Sequence, residues 1–323
     1  MPKLRVGIVG CGRMGRERAR SSALAGARVT HVMDCDGTRA GLLAHEYGAE
    51  VAVSISSLNG CDAVFLSTPP HVRAGMARWA AATRIPFLAE KPLALDSLAA
   101  EEVERALARA PVVNAVGYMN RWRSSIRYGK ALLASRQVLG FTAHWTGTRY
   151  KVPWWLEEAH SGGPHNEQAS HLFDLARYLC GEITEAFPRA APAGAGTMAT
   201  TVATTLAFAS GAIGNVLWSC GAAVKDVGLR VVTTEGSIAF STWDFALSEN
   251  TIGTAPPAAC TEDIFRVETT AFLDAVRTGD GSGLLCTWPD ANRTQRIMDD
   301  IRHTLRTAAA HMPGPLEPER MIS

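Results

Sequence analysis

The sequence predicts an α/β domain with a doubly wound, mostly parallel sheet over residues 1–120, followed over 121–323 by an α+β domain with an open, mostly antiparallel sheet. Three observations carry this. Short apolar runs alternate with helical stretches as far as about residue 120, the pattern of a parallel sheet covered on both faces. Beyond it, strand-like runs follow one another, some across turns such as Ser210-Gly211 and Glu235-Gly236. A chain of 323 residues is also long enough for two cores.

In chain order, runs at 4–9, 28–33, 63–67, 85–89 and 112–117 read as strands, and stretches near 13–25, 38–47, 71–83 and 96–109 as helices. A helix over 124–135 precedes strands at 141–150, 200–208, 212–220, 228–234 and 237–240. A helix near 166–179 interrupts those strands and is the candidate for the face turned toward the first domain. Residues 188–196, rich in Ala, Pro and Gly, read as a surface connection, and 253–259, with paired prolines, as irregular. Helices near 262–277 and 289–308 close the chain, with Phe265, Ala271, Phe272 and Val276 on a packing face that can return to the first domain. The tail from 313 reads as irregular and mobile.

Composition narrows the function class. The apolar fraction is 47%, the charged fraction 20% and the net charge +1, values of a globular protein. No basic block interleaved with aromatics points to nucleic acid, and no apolar run is long enough for a membrane span. Seven cysteines without CxxC spacing predict reduced thiols and a cytoplasmic location. With Leu4-Arg5-Val6 already in the fold, no signal peptide is expected. His, Cys and acidic residues show no zinc-like spacing, so no metal is expected.

The first chemical signal is Gly10-Cys11-Gly12-Arg13-Met14-Gly15, directly after the first strand and opening a helix. Free N–H groups and the positive helix end there suit a dinucleotide pyrophosphate. Gly10 permits the tight turn, Gly12 the close approach of the phosphates, and Gly15 the packing of helix on sheet. Asp34 ends the second strand 19 residues beyond Gly15, the spacing for accepting hydrogen bonds from ribose hydroxyls. Cys35 follows it, and Arg39 lies one helical turn on, so NAD is preferred and NADP stays an alternative.

Two further signals fall at strand exits, where ligands collect in a parallel sheet. Ser67-Thr68-Pro69-Pro70-His71 offers a rigid wall beside the cofactor, with His71 a candidate contact, or simply a helix start. Glu90-Lys91-Pro92 places a lysine able to hydrogen-bond a substrate oxygen, stabilise alkoxide charge and help move a proton, with Glu90 orienting it or meeting the cofactor. A third concentration runs from Ser161 to Asp174. There Glu167, His171 and Asp174 share a helical face, and His171 is the acid–base candidate. His165 and Asn166 are candidate substrate donors or a helix start. Trp154 and Trp155 line a cleft or fill a core, while Arg121 and Trp122, after Tyr118, fall where the two domains meet.

In this order and combination the chain resembles the glucose–fructose oxidoreductase and inositol dehydrogenase (Gfo/Idh/MocA) superfamily, over nearly its whole length. The resemblance implies a Rossmann domain, an open-sheet substrate domain and a homodimer or homotetramer. It implies catalytic roles for Lys91 and His171, with Glu167 where the family has aspartate. Ala169 stands where glycine is frequent, and Pro164 enters a loop that is often more permissive. The implied reaction is hydride transfer between a nicotinamide and a secondary alcohol or ketone of a sugar, cyclitol or related polyol. His171 takes the hydroxyl proton and Lys91 steadies the oxygen, or the two exchange roles. The alternatives are cofactor-assisted sugar elimination or glycoside cleavage, and a non-catalytic NAD-responsive binding protein.

Overall fold

The computed structural model describes residues 2–150, 152–191, 199–252 and 263–310. Its first unit runs β1 (Arg5–Val9), α1 (Arg13–Leu24), β2 (Arg28–Met33), α2 (Gly37–Tyr47), β3 (Glu50–Val51), β4 (Ala63–Leu66), α3 (Pro70–Ala82), β5 (Phe87–Ala89), α4 (Ser97–Arg109) and β6 (Asn114–Val116). All neighbouring strands are parallel, in the order β3-β2-β1-β4-β5-β6. Val6, Ile8 and Val9 of β1 and Val64, Phe65 and Leu66 of β4 are fully enclosed, as strands covered on both faces must be. Chain order reverses on either side of β1, which opens a crevice at its carboxyl end between β1 and β4. The sequence does not announce β3: two exposed residues at the sheet edge are too short to show a period.

The second unit begins with a 3₁₀ turn at Met119–Trp122 and α5 (Ser124–Leu133). It continues through β7 (Val138–Thr148), α6 (Pro153–Leu156), α7 (Glu158–Ser161), α8 (Pro164–Cys180), β8 (Ile183–Ala190), β9 (Thr201–Phe208), β10 (Ile213–Ser219), β11 (Gly221–Thr233), β12 (Gly236–Ser241) and β13 (Ala246–Asn250). These strands form a sheet ordered β13-β12-β11-β7-β10-β9-β8, antiparallel except for the β7–β10 pair. Alternation along β7 turns Phe141, Ala143 and Trp145 inward, where Leu172, Phe173 and Leu175 of α8 meet them in one core.

Three sequence expectations change here. Residues 188–190 are the end of β8 rather than a connection. β11 starts at 221 rather than 228, because its register against β7 shifts between Gly221 and Asp226 and erases the alternation. β8 as a strand and β13, both largely exposed, were not anticipated. Residues 192–196, the stretch 253–259 and the tail from 313 lie outside the described residues.

The last helices, α9 (Ile264–Thr278) and α10 (Trp288–Ala310), return to the first unit. Phe272 and Leu273 join Val6, Ile8 and Phe65 in one cluster, and Trp288 joins Leu66 and Phe87 in another. Farther along α10, Ile297, Met298 and Ile301 enter the second core, so this helix clamps both units. Among the described residues no helix is long and apolar enough to cross a membrane.

Candidate active site

The glycine loop has the shape a pyrophosphate requires. Gly10 sits at φ +91°, and a Cβ there would meet the Ser67 backbone; a Cβ on Gly15 would strike the Gly10 carbonyl. A Cβ on Gly12 would meet nothing within 4 Å, so the backbone borders open space. Gly12 is also the N-cap of α1 and brings no capping side chain. Cys11 turns its thiol into the core, where burial pushes it up to about 12, and only its backbone faces the loop. Asp34 reaches back to this loop: one carboxylate oxygen accepts from Cys11 N at 2.6 Å and the other from Asp36 N at 2.8 Å. Arg13 is exposed and Met14 half-buried at the rim, while Arg39 pairs with Asp36 at 3.0 Å.

The loops after β4 and β5 are joined to each other by Arg73, a residue the sequence did not single out. Its guanidinium, 3% exposed, donates to the carbonyls of Thr68 and Pro92, and burial lowers it to about 10. Pro69 caps α3 and Pro70 occupies its first turn. Ser67 holds a buried hydroxyl without a partner among the described residues, and Thr68 Oγ1 rests on Met76. His71 packs against His160 of α7 in a tilted ring pair, centroids 4.4 Å apart, so it ties the two units together.

Glu90 and Lys91 then diverge. Glu90 turns away from the crevice and accepts from Arg18 Nε at 2.7 Å, and Arg18 also meets Glu268 at 2.6 Å and Thr269 at 3.2 Å. Lys91 points across to α8. Its Nζ donates to Glu167 Oε1 at 2.5 Å and to the Glu167 carbonyl at 2.7 Å. Trp155 holds the other carboxylate oxygen, donating from Nε1 at 2.8 Å. Burial alone would raise the Glu167 carboxyl, but the Lys91 ammonium, that indole N–H and Arg73 hold it below its ordinary value. Position in the first turn of α8 favours the same anion.

One turn along α8, His171 is 4% exposed. Its ring stacks on Trp145 at 5.7 Å and meets Tyr118 edge-on. Burial, then the positive charges of Lys91, Arg123 and Lys225, push its pKa well down, so the ring is neutral at neutral pH. Asn120 faces Nδ1 at 3.5 Å. Because Asn120 Oδ1 already accepts from Arg123 Nε at 2.8 Å, its amide NH₂ is the group turned to the histidine. The arrangement leaves Nδ1 as acceptor and puts the ring proton on Nε2.

Several expected contacts go elsewhere. Arg121 donates to both oxygens of Asp174, to Asp290 and to the Leu285 carbonyl, so its guanidinium is spent inside the fold and Asp174 does not touch His171. Asn166 is bonded to Ser161 and Gln295. His165 packs edge-on to Phe173 and Trp218, with Nε2 buried and unpartnered and burial lowering its pKa to about 3. Trp154 lies half-buried against the second core. The residues sequence reasoning missed are Arg18, Arg73, Asn120, Arg123, Trp145, Lys225 and Trp243. Only Trp145 carried a signal, the inward alternation of β7.

A family model described as an oxidoreductase family with an NAD-binding Rossmann fold matches residues 4–118, and the GFO/IDH/MocA C-terminal domain matches residues 134–239. Inositol 2-dehydrogenase 1 of Saccharopolyspora erythraea is 30% identical over 185 residues, 54% of each chain. The scyllo-inositol 2-dehydrogenase (NAD(+)) of Bacillus subtilis is 29% identical over 191 residues, 56% of each. The match thus spans about half the length of these curated relatives. A levoglucosan dehydrogenase in complex with NADH and L-sorbose has TM-score 0.82 at 21% identity, covering 95% of this chain and 98% of that one. UDP-N-acetylglucosamine 3-dehydrogenase from Acidithiobacillus ferrooxidans has TM-score 0.84 at 20% identity, covering 95% and 99%. At these identities the two structures establish a shared fold.

Proposed function

The chain belongs to the Gfo/Idh/MocA oxidoreductase superfamily, and we propose that it is an NAD-dependent dehydrogenase or reductase interconverting a secondary alcohol and a ketone on a sugar, cyclitol or related polyol. The observation that carries this is the Lys91–Glu167 pair beside a neutral His171, on the crevice that the glycine loop borders. The loop, Asp34 and the unpartnered Ser67 hydroxyl would hold the dinucleotide. When bound, its nicotinamide supplies or accepts the hydride.

The residues of this chain handle the oxygen and the proton. Lys91 Nζ spends two of its donors on Glu167 and keeps the third for the substrate oxygen. In carbonyl reduction Lys91 passes that proton to the oxygen, which becomes a hydroxyl; in alcohol oxidation the neutral amine takes it back. His171 Nε2–H donates to the same oxygen and fixes its place. Of the two role assignments the sequence leaves open, this gives Lys91 the proton transfer and His171 the positioning. Glu167 and Trp155 hold the ammonium in line.

We also propose a homo-oligomer through the open face of the seven-stranded sheet. Register places Phe187, Ile213, Leu217 and Val232 on that one face, each exposed. Light scattering of the purified protein checks this. The function is checked by an NADH absorbance screen over cyclitols, free sugars and nucleotide-linked sugars with NAD and NADP. Turnover with NAD on at least one polyol is expected; binding of NAD without conversion of any of them contradicts the reading.

A further inference from the structure

We propose that the sugar or cyclitol taken by this site carries an anionic group, a carboxylate or a phosphate, received by Lys225 and Arg123 beside Trp145 and Trp243. The proposal rests on the redox reading above and names its substrate class.

Four side chains form a continuous wall around His171. Trp145 lies flat against the imidazole, and Trp243 meets Trp145 edge-on with centroids 5.2 Å apart. Lys225 Nζ stands 3.6 Å from the Trp243 ring centroid and 5.2 Å from that of Trp145. Arg123 closes the circuit, donating from Nη2 to the Trp243 carbonyl at 3.1 Å and from Nε to Asn120. Two cations of the second unit therefore stand one side chain away from the proposed catalytic histidine.

Irregular backbone presents both Lys225 and Trp243. Lys225 falls in the stretch of β11 where register shifts between Gly221 and Asp226, a device that re-aims side chains. Trp243 sits in the turn between β12 and β13, where Thr242 and Phe245 hold φ of 67° and 51°. A β-branched residue in that region is strained and needs its surroundings to hold it.

What these cations lack, among the described residues, is a carboxylate in direct contact. Neither Lys225 nor Arg123 has a carboxylate within ion-pair distance among the described residues. The acids nearby are engaged elsewhere: Glu167 with Lys91, Asp226 with His144 at 3.1 Å, and Asp244, which acts on Arg123 through space, with the Thr242 hydroxyl. Burial and then the charges of Arg123 and Arg13 lower Lys225, as befits like charges crowded at one cleft. Arg121, two residues before Arg123, shows the usual remedy, with Asp174 and Asp290 both at hand. Arg123 has no such remedy although it is 8% exposed. Trp145 adds an indole N–H that is buried and, among the described residues, unpartnered. A neutral polyol would leave Lys225, which is exposed, and Arg123, which is buried, without an ion-pair partner, whereas an anion on the substrate would pair with them.

The test is calorimetric titration of the full chain saturated with NAD. The probes are hexoses of gluco, galacto and manno configuration, the matching hexuronates and the matching hexose 6-phosphates. At least one anionic member should bind about tenfold or more tightly than its neutral parent, by a charge-assisted hydrogen bond, and added salt should narrow the gap. The uronate and phosphate arms identify which anion fits. In Lys225→Met the anion-to-neutral affinity ratio should fall about tenfold. Equal or tighter binding of the neutral sugars overturns the proposal, and if those sugars are also turned over the redox reading survives. A ratio unchanged in Lys225→Met overturns it as well. Loss of NAD affinity in that variant, with the ratio intact, assigns Lys225 to the cofactor phosphates and overturns it too. Binding of none of the probes, with an inert turnover screen, removes both.

Discussion

Glu90 and Lys91 are adjacent in the chain but serve two ionic clusters built on opposite terms. On the Glu90 side, Arg18 is fully enclosed and each guanidinium nitrogen is committed, to Glu90, Glu268 and Thr269. These bonds tie α1, the exit of β5 and α9 together. On the Lys91 side, the pair with Glu167 is still 11% and 14% exposed, and near it His171, Arg123 and Lys225 keep donors unfilled among the described residues. A cluster whose donors are all consumed internally fastens the fold. One with donors left over, opening on a crevice, has something to offer a ligand. Arg121 and Arg123 repeat the contrast two residues apart.

Substitutions on the two sides should therefore fail differently. Lys91→Ala should lower turnover by about 10³-fold with NAD affinity little changed, since it removes a group acting on the reacting oxygen. Rapid-mixing kinetics and direct cofactor titration measure the two, and a Lys91→Ala enzyme of normal turnover would erase the distinction. Arg18→Ala should instead cost about 3–5 kcal/mol in denaturant unfolding, because two carboxylates are left buried without their cation. Its surviving folded fraction should still turn over, and a stable but inactive Arg18→Ala would break the contrast.

The Arg18 cluster also has a pH signature. Burial, with Glu90 as a second carboxylate, raises Glu268 from 4.5 to about 7 despite Arg18. Between those values the native protein keeps a proton that the unfolded chain releases. Stability contributed by this group is thus full below pH 4.5, falls as pH rises toward about 7 and is gone above it. Glu268→Gln should flatten that slope, about 3 kcal/mol, in unfolding curves measured across the interval. A slope that persists would place the titration elsewhere. The smallest effect is expected on the Lys91 side: Trp155→Phe loses one donor to Glu167 and should lower turnover about fivefold, roughly 1 kcal/mol, while Tm moves little.

Much of the fold was legible because period and punctuation act locally. The alternation of strands and helices, the glycine turn and the proline-led start of α3 each follow from the residues that form them, whereas Pro164, read as part of a loop, opens α8. What escaped was short, exposed or irregular: β3 and β13 at the sheet edges, and the start of β11, where a register shift breaks the alternation. At the candidate site, the sequence named Lys91, Glu167 and His171 but not which pairs would form. Helical spacing placed Glu167, His171 and Asp174 on one face, yet Glu167 meets Lys91 and Asp174 meets Arg121, since partners arriving from distant segments outcompete neighbours one turn away. Asn120, Arg123, Lys225 and Trp243 could not be found by motif, because a turn and a displaced strand bring them to His171.

The central claim, that this crevice moves a hydride between a polyol carbon and a nicotinamide, is tested most directly by isotope transfer. Polyols and cyclitols deuterated at their carbinol carbons are incubated with NAD and the protein, and the reduced cofactor is analysed by mass spectrometry. Deuterium should appear in the cofactor with at least one substrate and be lost with Lys91→Ala. Reduced cofactor without the label, or substrate conversion with no label passing to the cofactor, would contradict the account.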